Sequence, residues 1–195
     1  MTTTLNKIRD HSPCKDGWKR LLKYLNKTEE DDEELKIETI IKSNGVDDAI
    51  WCLSTVDGYD KEIHLFAIFC ARQVQHLMKD SRSIKALDVA EDYINGKVTR
   101  EELVEADYAA YDANDYAAAA YAARAATANA SANAAYDAAI DATNAYAAYY
   151  AADYAANAYA AYCTATYDAD DGKELMRKIQ SKELLRICSL KEFVD

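Results

Sequence analysis

Apolar residues recur at intervals of three and four along most of this chain, the spacing that puts side chains on one face of an α-helix. Trp18, Leu21, Leu22 and Leu25 make a first such face, with Ser12 able to cap the helix and Pro13 suited to its first position. An acidic stretch from Glu29 to Glu34 interrupts the pattern. Leu35, Ile37, Ile40 and Ile41 resume it, and Ser43-Asn44-Gly45 supplies a stop. A third helix is expected from Asp47 or Asp48, carrying Ala49, Ile50, Trp51, Leu53 and Val56, up to Asp57-Gly58. A fourth runs from Asp60 to Met78 on Ile63, Phe66, Ala67, Cys70, Val74 and Leu77. A fifth opens at Ser81 or Ser83, buries Ile84, Leu87, Ala90 and Ile94, and ends at Asn95-Gly96. Together these predict a helical bundle over residues 1–98.

The pattern then changes character. Thr99 and Glu102 have capping-box spacing, in which each side chain satisfies the other's backbone N–H. From Leu103 to Asp171 there is neither glycine nor proline, and alanine, the best helix former, dominates. Steps of three and four pick out a seam through Leu103, Ala106, Ala110, Ala113, Ala117 and Ala120, then through Ala134, Ala138, Ala142, Ala145, Tyr149, Ala152, Ala156 and Ala160. Between these halves the seam turns polar, from Arg124 to Asn133. Unbroken, the tract would be ~100 Å long. A tip near Asn129 instead folds residues 99–171 into an antiparallel helical hairpin whose small residues allow close approach. A single long helix paired with a second subunit is the alternative. A last helix, Lys173 to Phe193, is expected to return to the bundle as part of residues 172–195. The fold class is all-α.

Composition supports this reading: five Gly and a single Pro are too few for a sheet protein's turns. No run approaches the ~20 apolar residues of a membrane span, and the N-terminus lacks a signal-peptide core. Five scattered cysteines, at 14, 52, 70, 163 and 188, fit free thiols rather than a disulfide framework. The expectation is a cytoplasmic protein.

The net charge of −11 is unevenly spread. Between Glu105 and Asp171 ten acids face one base, Arg124, leaving −9; the rest of the chain, with 24 acids and 22 bases, carries −2. Such a surface disfavours nucleic acid or an anionic membrane as direct partner. Twelve of the 15 tyrosines also lie in the tract. Tyrosine offers large contact area at small entropic cost, so Tyr beside Asp is recognition chemistry. It is equally the chemistry of rings folded over a thin alanine seam with their hydroxyls wet. The candidate partner-binding residues are Asp107, Tyr108, Tyr111, Asp112, Asp115, Tyr116, Asp137, Asp141, Tyr150, Asp153 and Tyr154.

Catalytic motifs do not occur: there is no phosphate loop, GxSxG or HExxH. His11, Cys14, Cys52, Cys70 and His76 have metal-ligand chemistry without zinc-site spacing, so no metal or cofactor is expected. Arg72 is expected to pair inside the bundle with an acid such as Asp47 or Asp48, and His64 to lie at or near the surface. DNA mimicry would need a charge every ~1.7 Å, against about one per 5 Å on the tract. Only partial mimicry fits that density.

The runs His11-Ser-Pro-Cys14, Gly17-Trp18, Leu21-Leu22, Lys27-Thr28, Asp31-Asp32, Ser43-Asn-Gly45, Asp48-Ala-Ile-Trp-Cys-Leu53, Leu65-Phe66, Phe69-Cys-Ala-Arg-Gln-Val-Gln-His76 and Asp80-Ser-Arg-Ser83 resemble a family of small helical immunity proteins of bacteria and phages. The resemblance covers about residues 5–105 and is followed by an alanine-rich tail. In the family's pattern that tail is punctuated by Arg or Trp, whereas here it carries Asp and Tyr, which implies a different partner on a common scaffold. The expected function is a non-enzymatic inhibitor or immunity-type protein, acting on a toxin or, in phage counter-defence, on a host defence factor. A self-associating structural helical protein, or a partial DNA mimic that inhibits a DNA-binding defence enzyme, is the alternative.

Overall fold

A computed structural model of the chain describes residues 1–112, 149–158 and 169–189. The chain starts with a strand that the helical pattern did not announce. Thr2–Thr3 (β1) pairs antiparallel with Leu35–Lys36 (β2), Thr2 facing Lys36 and Thr3 facing Leu35. The Thr3 hydroxyl donates to the carbonyl of Thr55 at 3.0 Å, which pins the first residues into the core. This is the only pairing of strands among the described residues, and the fold is otherwise all-α.

Helix α1 (Leu5–Asp10) buries Leu5 and Ile8 and is capped by Thr4, whose hydroxyl accepts from Lys7 N at 3.2 Å. Helix α2 (Lys15–Leu25) starts later than expected. Cys14, not Ser12, stands at its N-cap, its sulfur accepting the Gly17 N–H at 3.3 Å. Pro13 therefore precedes the cap instead of filling the first helical position. A residue before proline is pushed out of the right-handed helical region, and Ser12 turns the chain at φ 58°.

Helices α3 (Ile37–Asn44) and α4 (Val46–Trp51) are joined by Gly45 alone, at φ 96°, a conformation open mainly to glycine. The expected stop at Ser43-Asn44-Gly45 is found. The third helix, expected from Asp47 or Asp48, begins at Val46 with both acids in its first turn, and runs into a 3₁₀ turn at Cys52–Thr55. Helix α5 (Asp60–Gln73) is shorter than the run to Met78, because the chain tightens into a 3₁₀ turn at Gln75–Leu77.

Helix α6 (Ser81–Ile94) is capped by Asp80, whose carboxylate accepts from Arg82 N at 2.9 Å. Of the two serines expected to open it, Ser81 is its first residue, while Ser83 is buried within the first turn. Helix α7 (Arg100–Asp112) opens on the capping box, Thr99 N donating to Glu102 Oε2 at 2.8 Å and Glu102 N to Thr99 Oγ1 at 3.3 Å. Residues 149–158 form α8, and Ala169–Ser189 form α9. The expected hairpin tip and the end of the last helix near Phe193 lie outside the described residues.

The core explains the order. Phe66, Ile68, Ile37, Ile40, Ile50, Leu53 and Leu87 are fully buried, each contributing roughly 1.5–3 kcal/mol by leaving water. Met176, Leu184 and Ile187 of α9 join that cluster, and α9 lies against α3, α4 and α5. Of the described seam residues Leu103, Ala106, Ala110, Ala152 and Ala156 are buried and Tyr149 is half-buried, and the alanines pack in two places. Ala106 and Ala110 of α7 meet Ala86 and Val89 of α6, while Ala151, Ala152, Ala155 and Ala156 of α8 enter the main core. Among the described residues no helix is long and apolar enough to cross a membrane.

Two side chains depart from expectation. His64 is buried, because α5 is covered on more than one side, Ile63, His64, Phe66, Ala67, Ile68, Cys70 and Ala71 all being enclosed. Arg72 pairs not with Asp47 or Asp48 but across to α6, reaching Asp88 at 2.7 Å and Glu91 at 3.0 Å. Those acids stand three residues apart on the neighbouring helix, within reach of one guanidinium. The arginine at Asp47 is Arg177, from α9.

Candidate functional site

The predicted partner-binding residues fall into two described groups. On α7, Tyr108 and Asp112 are exposed, Tyr108 by 67%, and Glu101 and Glu105, which were not among the predicted residues, extend the same exposed ridge at helical spacing. A shallow depression beside them is lined by Arg100, Glu101, Val104, Glu105 and Tyr108. Asp107 points off this ridge and is half-buried. On α8, Tyr150 and Tyr154 stand one helical turn apart, 44% and 41% exposed. Asp153 is engaged within the chain: it accepts from Arg177 at 2.9 Å and from Asn157 at 3.1 Å. The Tyr111 side chain, Asp115, Tyr116, Asp137 and Asp141 lie outside the described residues.

A second feature was not foreseen. Where α2 crosses the start of α4, the chain leaves a cleft of ≈ 220 Å³, with Ile8, Leu21 and Ile40 among its apolar lining and Cys14, Trp18, Asp47, Asp48, Trp51 and Tyr149 also around it. Its shape depends on Gly17. A Cβ there would stand 2.8 Å from Asp48 Oδ2 and 3.0 Å from Cys14 Sγ, so any larger residue would push these two side chains from their places. Asn44 then ties them, its amide donating to the Gly17 carbonyl and to Asp48 Oδ2, each at 2.8 Å. Ser43 in turn donates to Asn44 Oδ1 at 2.7 Å, which orients the amide.

No protein-family model, curated protein or solved structure matches this chain.

The electrostatics of the cleft are asymmetric. Asp47 forms an ion pair with Arg177, whose side chain is only 12% exposed and which also holds Asp153. Arg177 is positioned by Gln180, which accepts from it at 2.9 Å and itself donates to the Ala152 carbonyl at 2.8 Å. Asp48 has no cationic partner among the described residues; Asn44 alone donates to it. Burial, and then the charge of Asp48, push the Cys52 thiol well above its ordinary value, so this cysteine is a poor nucleophile. Burial, then Asp153 and Asp47, likewise raise the Tyr149 hydroxyl.

Elsewhere, His11 Nδ1 lies 2.9 Å from the Lys7 carbonyl and caps the end of α1. Cys52, Cys70 and Cys188 are buried and Cys14 is exposed. Among the described residues no three His, Cys, Asp or Glu side chains are grouped to hold a metal.

Sequence reasoning missed Asp48, Trp51 and Tyr149 as neighbours. Two tryptophans that a bundle of this kind leaves half-buried, one of them three residues from paired aspartates, were the available signal.

Proposed function

We propose that this protein is a non-enzymatic binding protein of the inhibitor or immunity type, which captures a basic surface on another protein through acidic, tyrosine-bearing helices. The observation that carries this reading is the exposure of Tyr108, Tyr150 and Tyr154 on helices of the tract that holds most of the net charge. Solubility alone is served by the carboxylates and gains nothing from exposed phenol rings. Aromatic rings beside charge are instead the usual make-up of protein contact surfaces. The alanine seam is spent inside the chain wherever it is described, on α6 and on the core, which favours a surface built from the outward residues over a seam-driven zipper. A toxin, or a defence enzyme with a basic nucleic-acid-binding face, has the complementary charge.

The test is capture from lysate of the host cell, with the wild-type chain compared against a variant carrying Tyr108→Ser, Tyr150→Ser and Tyr154→Ser. A basic protein retained by the wild type and lost with the variant supports the reading. The same proteins retained by both would overturn it.

A further inference from the structure

We propose that the cleft between α2 and α4 binds an organic cation, specifically an alkylammonium head, against Trp18, Trp51 and Tyr149 with Asp48 as its counter-ion.

The walls select the ligand class. Three aromatic rings line one small space, and the negative faces of such rings attract cations, most strongly when the site is partly dry. Trp18 already shows the interaction within the chain, with the Arg9 guanidinium 5.6 Å from its ring centroid. Arg9 itself does not line the cleft. Two carboxylates exclude an anion. A neutral apolar guest would leave the Asp48 charge facing it without compensation. A hard metal ion needs a shell of oxygen ligands; beyond the two aspartates the lining offers the Asn44 amide and the Gly17 carbonyl, both already hydrogen-bonded, and is otherwise thiol, aliphatic and aromatic.

Asp48 supplies the charge. Its neighbour Asp47 is neutralised by Arg177, whereas Asp48 is held by Asn44, a neutral donor, on one oxygen. The carboxylate is thus aimed but not discharged. At ≈ 220 Å³ the space exceeds the ~150 Å³ cavity that accepts benzene and falls short of the ~300 Å³ at which drug-sized sites begin. That size suits the ammonium end of a free amine or of a lysine side chain. Apart from Tyr149 the cleft belongs to the bundle, and the inference stands whether or not the outward residues of the tract capture a protein.

The chain's two tryptophans both line the cleft, so their fluorescence reports occupancy directly. The full chain is titrated with n-butylammonium and tetramethylammonium, with 3,3-dimethylbutanol as a neutral probe of similar shape. Saturable change with the ammonium probes, and none with the alcohol, is expected. Asp48→Asn keeps the acceptor for Asn44 and should weaken binding at least tenfold with the fold intact by circular dichroism. If that variant does not fold, Gly17→Ala, whose methyl would displace the Asp48 carboxylate and leave the three aromatic residues in place, serves instead and should weaken binding similarly. Tighter binding of N-acetyl-lysine amide than of tetramethylammonium identifies a lysine side chain as the source, and the reverse order identifies a free organic amine. The absence of a saturable response, an equal response to the alcohol, or undiminished binding by both variants would overturn the proposal.

Discussion

Arg177 on α9 donates to Asp153 on α8 at 2.9 Å, across 24 residues of sequence. The same guanidinium pairs with Asp47 at the start of α4, so one side chain joins the tract, the last helix and the bundle. The pair is partly buried, a setting in which losing one partner costs more than a surface bridge, worth ~1 kcal/mol or less, and less than the ~3–5 kcal/mol of a fully buried one. Arg177→Met keeps the aliphatic volume and removes the charge. It should destabilise the protein by about 2 kcal/mol, read from the urea midpoint. An unchanged midpoint would show that water replaces the arginine without loss.

His64 makes stability depend on pH. Burial pushes its pKa down to about 4 from an ordinary 6.5, and its Nε2 has no hydrogen-bond partner among the described residues. Between those values the unfolded chain binds the proton and the folded one does not. Stability is therefore undiminished above pH 6.5 and falls as the pH drops towards 4, by roughly 3 kcal/mol in total. Carboxylates also titrate on acidification, so the readout is a difference. His64→Leu should gain about that amount relative to wild type between pH 7 and pH 4. A constant difference across the range would contradict the assignment.

Ala86 is fully buried between α6 and α7, against Ala106 and Ala110. Helices packed through alanine have no room for a longer side chain. Ala86→Leu should cost about 1–3 kcal/mol by forcing the helices apart. Ala86→Ser, nearly the same size, should cost less. Equal stability of Ala86→Leu and wild type would mean that the contact is loose.

The helices were legible because a buried face repeats every three to four residues whatever it packs against, and Leu21, Ile40, Phe66 and Leu87 all keep that register. Thr99 and Glu102 were legible because a capping box is satisfied within four residues. Arg72 and His64 were not, since their surroundings depend on which helices become neighbours. Arg72 found acids on α6, and His64 was enclosed by helices from other parts of the chain. The β1–β2 pairing was hidden for a similar reason: strands of two residues have no periodicity to display. The cleft is the extreme case. Gly17, Asn44, Asp48 and Tyr149 come from α2, α3, α4 and α8, and only the fold places them together.

The most direct test of the central claim is the affinity of the captured partner for two versions of the chain at several salt concentrations. One is wild type; the other carries Glu105→Gln, Asp112→Asn, Asp115→Asn, Asp137→Asn and Asp141→Asn, with half-buried Asp107 left in place. Recognition of a basic surface by the acidic face predicts that the variant, equally helical, binds at least tenfold more weakly and with a flatter dependence on salt. Equal affinity and equal salt dependence would contradict it and leave the tract's charge with no part in binding.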